Sequence, residues 1–326
     1  MIIYLAPLKG VTDAIFRNTY AEFFSGIDRA VSPFISSTKG GRVGRRHLKD
    51  VLPQQNMHLP VVPQVLSKAA DEFIVLAKAL YDLGYATINW NLGCPFPRVA
   101  RKGRGAGLLP YPDRIDAFLD KTLAAIPNRL SIKTRLGCHS PTELLHLMPV
   151  FNRYPLDELI IHPRTGRQMY RGAADVAQFA KYFAMADLPV VYNGDIFSLQ
   201  DYRRIVQQLP QVSRWMLGRG LLANPFLPAQ IRSNGTQRPE LGTTFGRFHD
   251  ALLERYAEAL SGPSHLLKRM KCLWHYFAKS FENRPKILKK IHKSQTIGQY
   301  QAAVAAVFEN EIRRWMAHDT HRRFPF

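Results

Sequence analysis

The sequence predicts an α/β chain: a (β/α)8 TIM barrel followed by a C-terminal all-helical domain. Three observations predict it. Eight short β-branched runs fall within about 220 residues, helical patterns separate most of them, and no strand pattern follows a polar linker. A doubly wound sheet would show fewer strands and a Gly-rich first turn. With 326 residues, 46% hydrophobic and 21% charged, the chain has the composition of a folded protein, which excludes disordered and collagen-like classes.

The strands are expected near Ile2–Leu5, Ala30–Phe34, Val61–Leu66, Thr87–Asn91, Leu130–Thr134, Leu159–His162, Pro189–Tyr192 and Trp215–Leu217. Between them helices are expected near 12–24, 69–83, 113–126, 141–152, 174–185 and 198–208. After the second strand Gly40, Gly41 and Gly44 interrupt any helical pattern. The linker Ser233–Thr244 is polar and carries Gly and Pro, so the domains are expected at 1–235 and 243–326. Within the second, Leu266, Leu267, Met270, Leu273, Trp274 and Phe277 fall on one helical face, with Lys268, Lys271, His275 and Lys279 opposite.

Charge narrows the function. The 45 Lys and Arg stand against 25 acids, a net charge of +20 that implies a polyanionic partner, nucleic acid or membrane surface. Residues from 241 onward hold 15 of those cations against 7 acids, as a phosphate-gripping surface would. No apolar run is long enough for a membrane span, and the N-terminus lacks the features of a secretion signal. Cys94, Cys138 and Cys272 are too few and scattered for a disulfide framework or zinc cluster, which fits a reducing cytoplasm. His318 and His321 form a lone HxxH, so no metal is expected.

In a barrel the chemistry sits after the C-terminal ends of the strands. There the fourth strand meets Asn91-Leu92-Gly93-Cys94-Pro95, a turn that aims the thiol toward the mouth. The fifth ends in Lys133-Thr134-Arg135, where alternation puts the two cations on one face and an inward lysine needs an anionic or carbonyl partner. The sixth ends in His162-Pro163-Arg164. The seventh and eighth end in Asn193-Gly194-Asp195 and Gly218-Arg219-Gly220, whose glycines admit a phosphate to the backbone and whose arginine adds charge. Together these two turns point to a phosphorylated cofactor. The segment after Cys94 sets Arg98, Arg101, Lys102 and Arg104 among glycines without a Walker or Rossmann pattern, and is expected to be a mobile basic loop over the mouth.

The ordered set of motifs resembles the tRNA-dihydrouridine synthases over the barrel and the helical appendage. It comprises Ala6-Pro7-Leu8 with Gly10 and Thr12, Gln64, NLGCP at 91–95, GAGLL at 105–109 and KTRLG at 133–137. IHPRTGRQMYRGAAD at 161–175, NGD at 193–195 and LGRGLLANPFL at 217–227 complete it. The resemblance implies a monomeric FMN enzyme using NADPH to reduce a tRNA uridine. Pro7, Leu8, Gln64 and Lys133 would meet the flavin ring, and His162, Asn193, Gly194, Asp195, Gly218 and Arg219 its tail and phosphate. Asn91 would face the uracil and Cys94 would be the general acid. Arg98, Arg101, Lys102, Arg104, Arg135, Arg164, Lys268 and Lys271 would hold the RNA. Leu8, Lys9, Ser67 and Asn89 depart from the family pattern without removing a reacting group, which leaves the target uridine open, a ribosomal one included. The competing readings are an FMN reductase of a small molecule, which has no need of the basic tail, and a non-catalytic RNA binder, which has no need of Cys94, Lys133 and His162.

Overall fold

The structure is a computed structural model that describes residues 1–40, 43–235 and 241–320, with backbone alone over 241–242 and 311–320. Gly41, His321, the middle of the linker and the side chain of His318 therefore lie outside the described residues.

The barrel strands are β1 (Ile2–Leu5), β2 (Arg29–Val31 and Ile35–Ser36), β3 (Val61–Val62 and Gln64–Leu66) and β4 (Thr87–Leu92). β5 (Arg129–Gly137), β6 (Leu159–Thr165), β7 (Val190–Tyr192) and β8 (Arg214–Leu217) follow. Every neighbour pair is parallel, and β1 pairs with both β2 and β8, so the sheet closes as the sequence predicts. β2 and β3 are each broken, at Ser32–Phe34 and at Pro63, because Pro33 and Pro63 have no N–H for the ladder. Register passes from Val31↔Val62 to Ile35↔Val65, so β2 carries one extra residue, a bulge beside the mouth.

Inside the ring Tyr4, Val31, Val62, Ile160, Val191 and Met216 pack as an apolar cluster. Tyr4 also donates a 2.6 Å hydrogen bond to Glu158, which Arg214 reaches at 2.9 Å. This satisfies a buried carboxylate beneath the barrel core. β5 and β6 each run three residues beyond their expected ends, which puts Arg135 and Arg164 on strands rather than in loops. Helices α1 (Ala14–Phe23), α2 (Ala70–Asp82), α3 (Pro112–Leu123), α4 (Glu143–Asn152), α5 (Val176–Ala184) and α6 (Leu199–Gln208) lie within three residues of expectation. After β2, where glycines interrupt the pattern, only short turns form, at Arg45–Leu48, Lys49–Val51 and Pro53–Gln55.

The chain divides into two compact units: Met1–Ala14, Ile27–Ile196 and Gln200–Gly218 form the first, and Ile15–Gly26, Phe197–Leu199 and Arg219–Phe326 the second. The second unit is helical, with α7 (Arg219–Ala223), α8 (Leu227–Arg232), α9 (Leu241–Ala259), α10 (Pro263–Phe277), α11 (Arg284–Lys293) and α12 (Ile297–Thr320). The apolar face read for α10 is buried at all six positions. Its Trp274 donates to the Tyr300 hydroxyl at 2.8 Å, which lies 2.6 Å from His249 Nε2, so the aromatic core also satisfies its polar edges. Phe16 and Tyr20 from α1 and Phe24 just after it pack around Phe248, which is why the first helix from Ile15 onward belongs to this unit. No helix among the described residues is long and apolar enough to cross a membrane.

Candidate active site

A buried polar chain crosses β3, β4 and β5. Gln64 is paired with Asn89 in the ladder, Asn89 with Ser131 and Asn91 with Lys133, so alternation brings these side chains to one face. Gln64 Nε2 donates to Asn89 Oδ1 at 2.8 Å, and Gln64 Oε1 accepts from Asn91 Nδ2 at 2.7 Å. Asn89 donates onward to Ser131 Oγ at 2.9 Å. An asparagine at 89 suits this chain because it must accept at one atom and donate at the other. Asn91 Oδ1 then accepts the N–H groups of Gly93 and Cys94, at 3.1 and 2.9 Å. The network thus fixes the turn that carries the cysteine.

Cys94 is buried, and burial pushes its thiol up, against the opposing pull of the Phe96 N–H and of Lys9, Arg135 and Lys133. The turn after it lies directly against it. Gly105 has φ +56°, and a Cβ there would sit 2.8 Å from the Cys94 carbonyl. A Cβ on Gly107 would meet the Ala100 carbonyl at 2.1 Å. These contacts explain the glycines of GAGLL: Gly105 lets the chain close over the cysteine, and Gly107 lets it pack against the Ala100 backbone.

Lys133 is half-buried, and among the described residues its Nζ has no hydrogen-bond or ion-pair partner. Burial, with Arg135 beside it, lowers its pKa to about 7. Arg135 is buried and acts as a strut rather than a phosphate grip. Its Nε donates to the Gly93 carbonyl at 2.9 Å, and Nη1 to those of Thr165 and Met169 at 2.9 and 2.8 Å. His162 Nδ1 lies 2.6 Å from the Asn193 carbonyl, which can only accept, so Nδ1 carries the proton. Burial, then Arg135 and Lys133, hold its pKa well below the usual histidine range, and the ring is neutral.

The sequence reading of Arg164 needs correction. It is 2% exposed, its guanidinium is clamped to both Asp195 oxygens, and it also donates to the Gly172 carbonyl at 2.6 Å. A cation so engaged ties the β6 and β7 ends together and is not presented to RNA. Asn193 is likewise fixed, by donation to the Met216 carbonyl at 2.8 Å. Gly194 faces the Tyr192 ring so closely that a Cβ would lie 2.1 Å from its hydroxyl. Gly218 ends the first unit against Ala6, and a Cβ there would approach that of Ala6 to 3.3 Å. Pro7 and Leu8 lie in a turn held by Thr12, whose hydroxyl accepts from Leu8 N at 2.8 Å and donates to the Ala6 carbonyl at 3.1 Å.

Of the remaining cations, Arg98, Arg101 and Lys102 are exposed and Arg104 is 3.6 Å from Glu72. Their segment is not the open loop expected: it folds into a helical turn at Pro97–Ala100 and a 3-10 turn at Gly105–Leu108. In the second unit Arg219 lies over the Phe197 ring at 5.6 Å and Lys268 is exposed. Lys271 is a further correction, because its Nζ donates to the carbonyls of His292 and Ser294 at the end of α11. It caps a helix.

Sequence reasoning passed over Tyr170, which lay unassigned inside the IHPRTGRQMYRGAAD segment. It is 41% exposed and sits over the Arg135 guanidinium at 5.5 Å, edge-on to His162 at 6.3 Å. The preceding Met169 has φ +49°, a conformation uncommon outside glycine that re-aims the chain there. Among the described residues no group of three or more His, Cys, Asp or Glu could hold a metal ion.

A closed parallel barrel with a polar floor, a protonated thiol, a lone lysine and a neutral histidine at one end defines an enzyme of the TIM-barrel class. The fold is similar to histamine dehydrogenase from Rhizobium sp. 4-9, with TM-score 0.55 and 11% identity over 72% of this chain and 46% of that one. It is also similar to the old yellow enzyme homologue from Zymomonas mobilis, with TM-score 0.51 and 11% identity over 74% and 91%. The dihydrouridine synthase family profile matches residues 4–311, and the chain belongs to that family. Relatives include a probable tRNA-dihydrouridine synthase of Rhodobacter capsulatus, 30% identical over 79% of this chain and 80% of its own. A tRNA-dihydrouridine(16) synthase of Neisseria meningitidis serogroup A is 27% identical over 95% of each chain.

Proposed function

We propose that this chain reduces the C5=C6 bond of a uridine in tRNA, with FMN as its cofactor and NADPH as the electron donor. The observation that carries the reading is the meeting of Cys94, Lys133 and Asn91 at one end of a barrel whose family is dihydrouridine synthase. The residues present fit a flavin. Lys133 offers an amine with no partner, Gly218 leaves the end of β8 without a side chain, and Gln64 has its amide held in one orientation. Pro7, Leu8, Gln64 and Lys133 would hold the ring, and His162, the Asn193–Asp195 turn and Gly218–Arg219 the tail and phosphate.

FMN, when bound, supplies the hydride that adds to C6 of the uracil. The chain's own residues do the rest. Cys94 gives the Sγ proton to C5, so the double bond becomes two C–H bonds and a thiolate remains. Burial keeps the thiol protonated before the step, and Lys9, Arg135 and Lys133 favour the thiolate after it. The thiolate then recovers a proton from water. Asn91 fixes the cysteine turn that would face the base, and Tyr170 stands exposed beside Arg135, where a flipped base could stack. Arg98, Arg101, Lys102 and Lys268 are exposed and would contact the RNA backbone. The basic composition supports a nucleic-acid substrate over a small molecule.

The test is incubation with NADPH and tRNA from a strain lacking every dihydrouridine synthase, followed by nucleoside mass spectrometry with position mapping. A two-hydrogen gain at one uridine is expected, with position 16 the first to inspect because several relatives bear that number in their names. Flavin-dependent NADPH oxidation without any gain in tRNA would redirect the reading to ribosomal RNA or a small-molecule acceptor.

A further inference from the structure

The segment after β2 is the most one-sided in charge in the first unit: residues 37–49 hold five Lys and Arg plus His47 and no acid. Of these, Lys39, Arg45, Arg46, His47 and Lys49 are exposed in the described residues. The segment follows the C-terminal end of its strand, so it lies at the same end of the barrel as Cys94. It is also physically continuous with the ends of β3 and β4. Ser37 Oγ lies 2.8 Å from Ser67 Oγ and 2.7 Å from Glu72 Oε2. Glu72 meets Arg104 at 3.6 Å, and His47 lines a small cavity with Glu72 and Ser37. Exposed Lys68 runs past Gly103, its Cδ 3.9 Å from where a Cβ would stand.

The acids near this surface are already engaged. Glu72 holds Ser37 and Arg104, Asp71 pairs with Lys121 at 2.7 Å, and Asp50 accepts the Ala14 N–H at 2.6 Å. Beside these pairs, exposed cations follow three successive strands: Lys39, Arg45, Arg46 and Lys49 after β2, Lys68 after β3, and Arg98 and Lys102 after β4. Closer to the thiol, Lys9 lies over the Phe34 ring at 4.4 Å, and its charge is felt at Cys94.

We propose that Lys39, Arg45, Arg46, Lys49 and Lys68, all in the first unit, form a grip on the RNA phosphodiester backbone. The proposal rests on the reading of the substrate as RNA and adds the segment after β2 and Lys68 to the barrel contacts assigned to Arg98, Arg101 and Lys102. A surface of this kind contacts phosphates and not bases, so it acts on affinity and on the placement of the strand that carries the target uridine. Short turns with their side chains in water suit a polyanion with regularly spaced charges, and the position beside the mouth selects the molecule that delivers the reacting base.

The experiment uses the full chain carrying Arg45→Glu and Arg46→Glu, with an unmodified tRNA transcript as probe and equilibrium binding followed from 50 to 300 mM KCl. The expected result is about a tenfold loss of affinity at 100 mM salt and a salt slope shallower by about 1–2, with flavin content and melting temperature unchanged. Parental affinity and slope in the variant would overturn the proposal while leaving the function intact. Parental protein that fails to bind tRNA at all overturns both. Binding to anionic phospholipid vesicles, lost in the variant while tRNA binding persists, overturns the RNA assignment. If charge reversal impairs folding, Arg45→Gln, Arg46→Gln and Lys68→Gln together carry the same expectation with a smaller loss.

Discussion

Arg135 Nε donates to the carbonyl of Gly93 at 2.9 Å, which fastens the end of β5 to the turn that presents the cysteine. The same guanidinium reaches the Thr165 carbonyl at the end of β6 and the Met169 carbonyl beyond it, so one side chain sets the spacing of three strand ends. Lysine can keep the charge but cannot span three acceptors in a plane. Arg135→Lys is therefore expected to retain flavin and melt within a few degrees of the parent, yet to lose about 10- to 100-fold in kcat on tRNA. Unchanged kcat, measured under single-turnover conditions, would show that the turn does not depend on this strut.

Cys94 and Gly105 give a paired prediction. Cys94→Ala should keep yellow flavin and tRNA affinity and lower turnover by about 10²- to 10⁴-fold, the usual worth of a positioned general acid. Gly105→Ala leaves the thiol in place but forces a Cβ to within 2.8 Å of the Cys94 carbonyl at a φ of +56°. Turnover should fall there too, now with a changed alkylation rate at Cys94, read by peptide mass spectrometry apart from the exposed Cys272. An active Gly105→Ala protein with parental alkylation would show that the turn can shift without moving the thiol.

Lys133 makes stability depend on pH with a definite sign. In the unfolded chain a lysine holds its proton to about pH 10.4. In the folded apoprotein burial and Arg135 bring the pKa to about 7. Between those values the unfolded state binds the extra proton, so stability rises with pH over that window; below about 7 both states are charged and the burial cost is complete. Lys133→Met should be more stable than the parent at pH 6.5 and should lose this rise. Urea midpoints of cofactor-free protein at pH 6.5, 7.5 and 8.5 measure it, and parallel profiles for parent and variant would mean that the ammonium is solvated.

The barrel was legible because its signals are local. Alternating apolar runs ended by Asn, Gly or Pro mark the strand ends, and those ends carry the chemistry. The breaks in β2 and β3 needed only Pro33 and Pro63 to be taken as missing donors. What could not be read is which cations are free, since charge is visible in a sequence and partners are not. Arg164 meets an aspartate 31 residues away and Arg104 a glutamate on α2. Lys271 meets carbonyls at the end of a helix 21 and 23 residues on. Tyr170 was hidden for a related reason, because only the packed Arg135 beneath it shows that the ring stands at the mouth.

Lys268 and Lys271, three residues apart on α10, separate binding from folding. Lys268 is exposed, so Lys268→Ala should leave the melting temperature unchanged and make the salt dependence of tRNA binding shallower by about 1. Lys271 holds the carbonyls of His292 and Ser294, and its removal strips those acceptors of a charged donor at a helix C-terminus. A loss of about 1–2 kcal/mol is expected for Lys271→Ala. In a protein of this size that appears as a fall of about 1.5–3 °C in Tm. Because α11 carries five Lys and Arg within ten residues, loosening its end should also weaken RNA binding, but at every salt concentration alike. A salt-dependent loss in Lys271→Ala without a fall in Tm would mean that its ammonium meets phosphate after all.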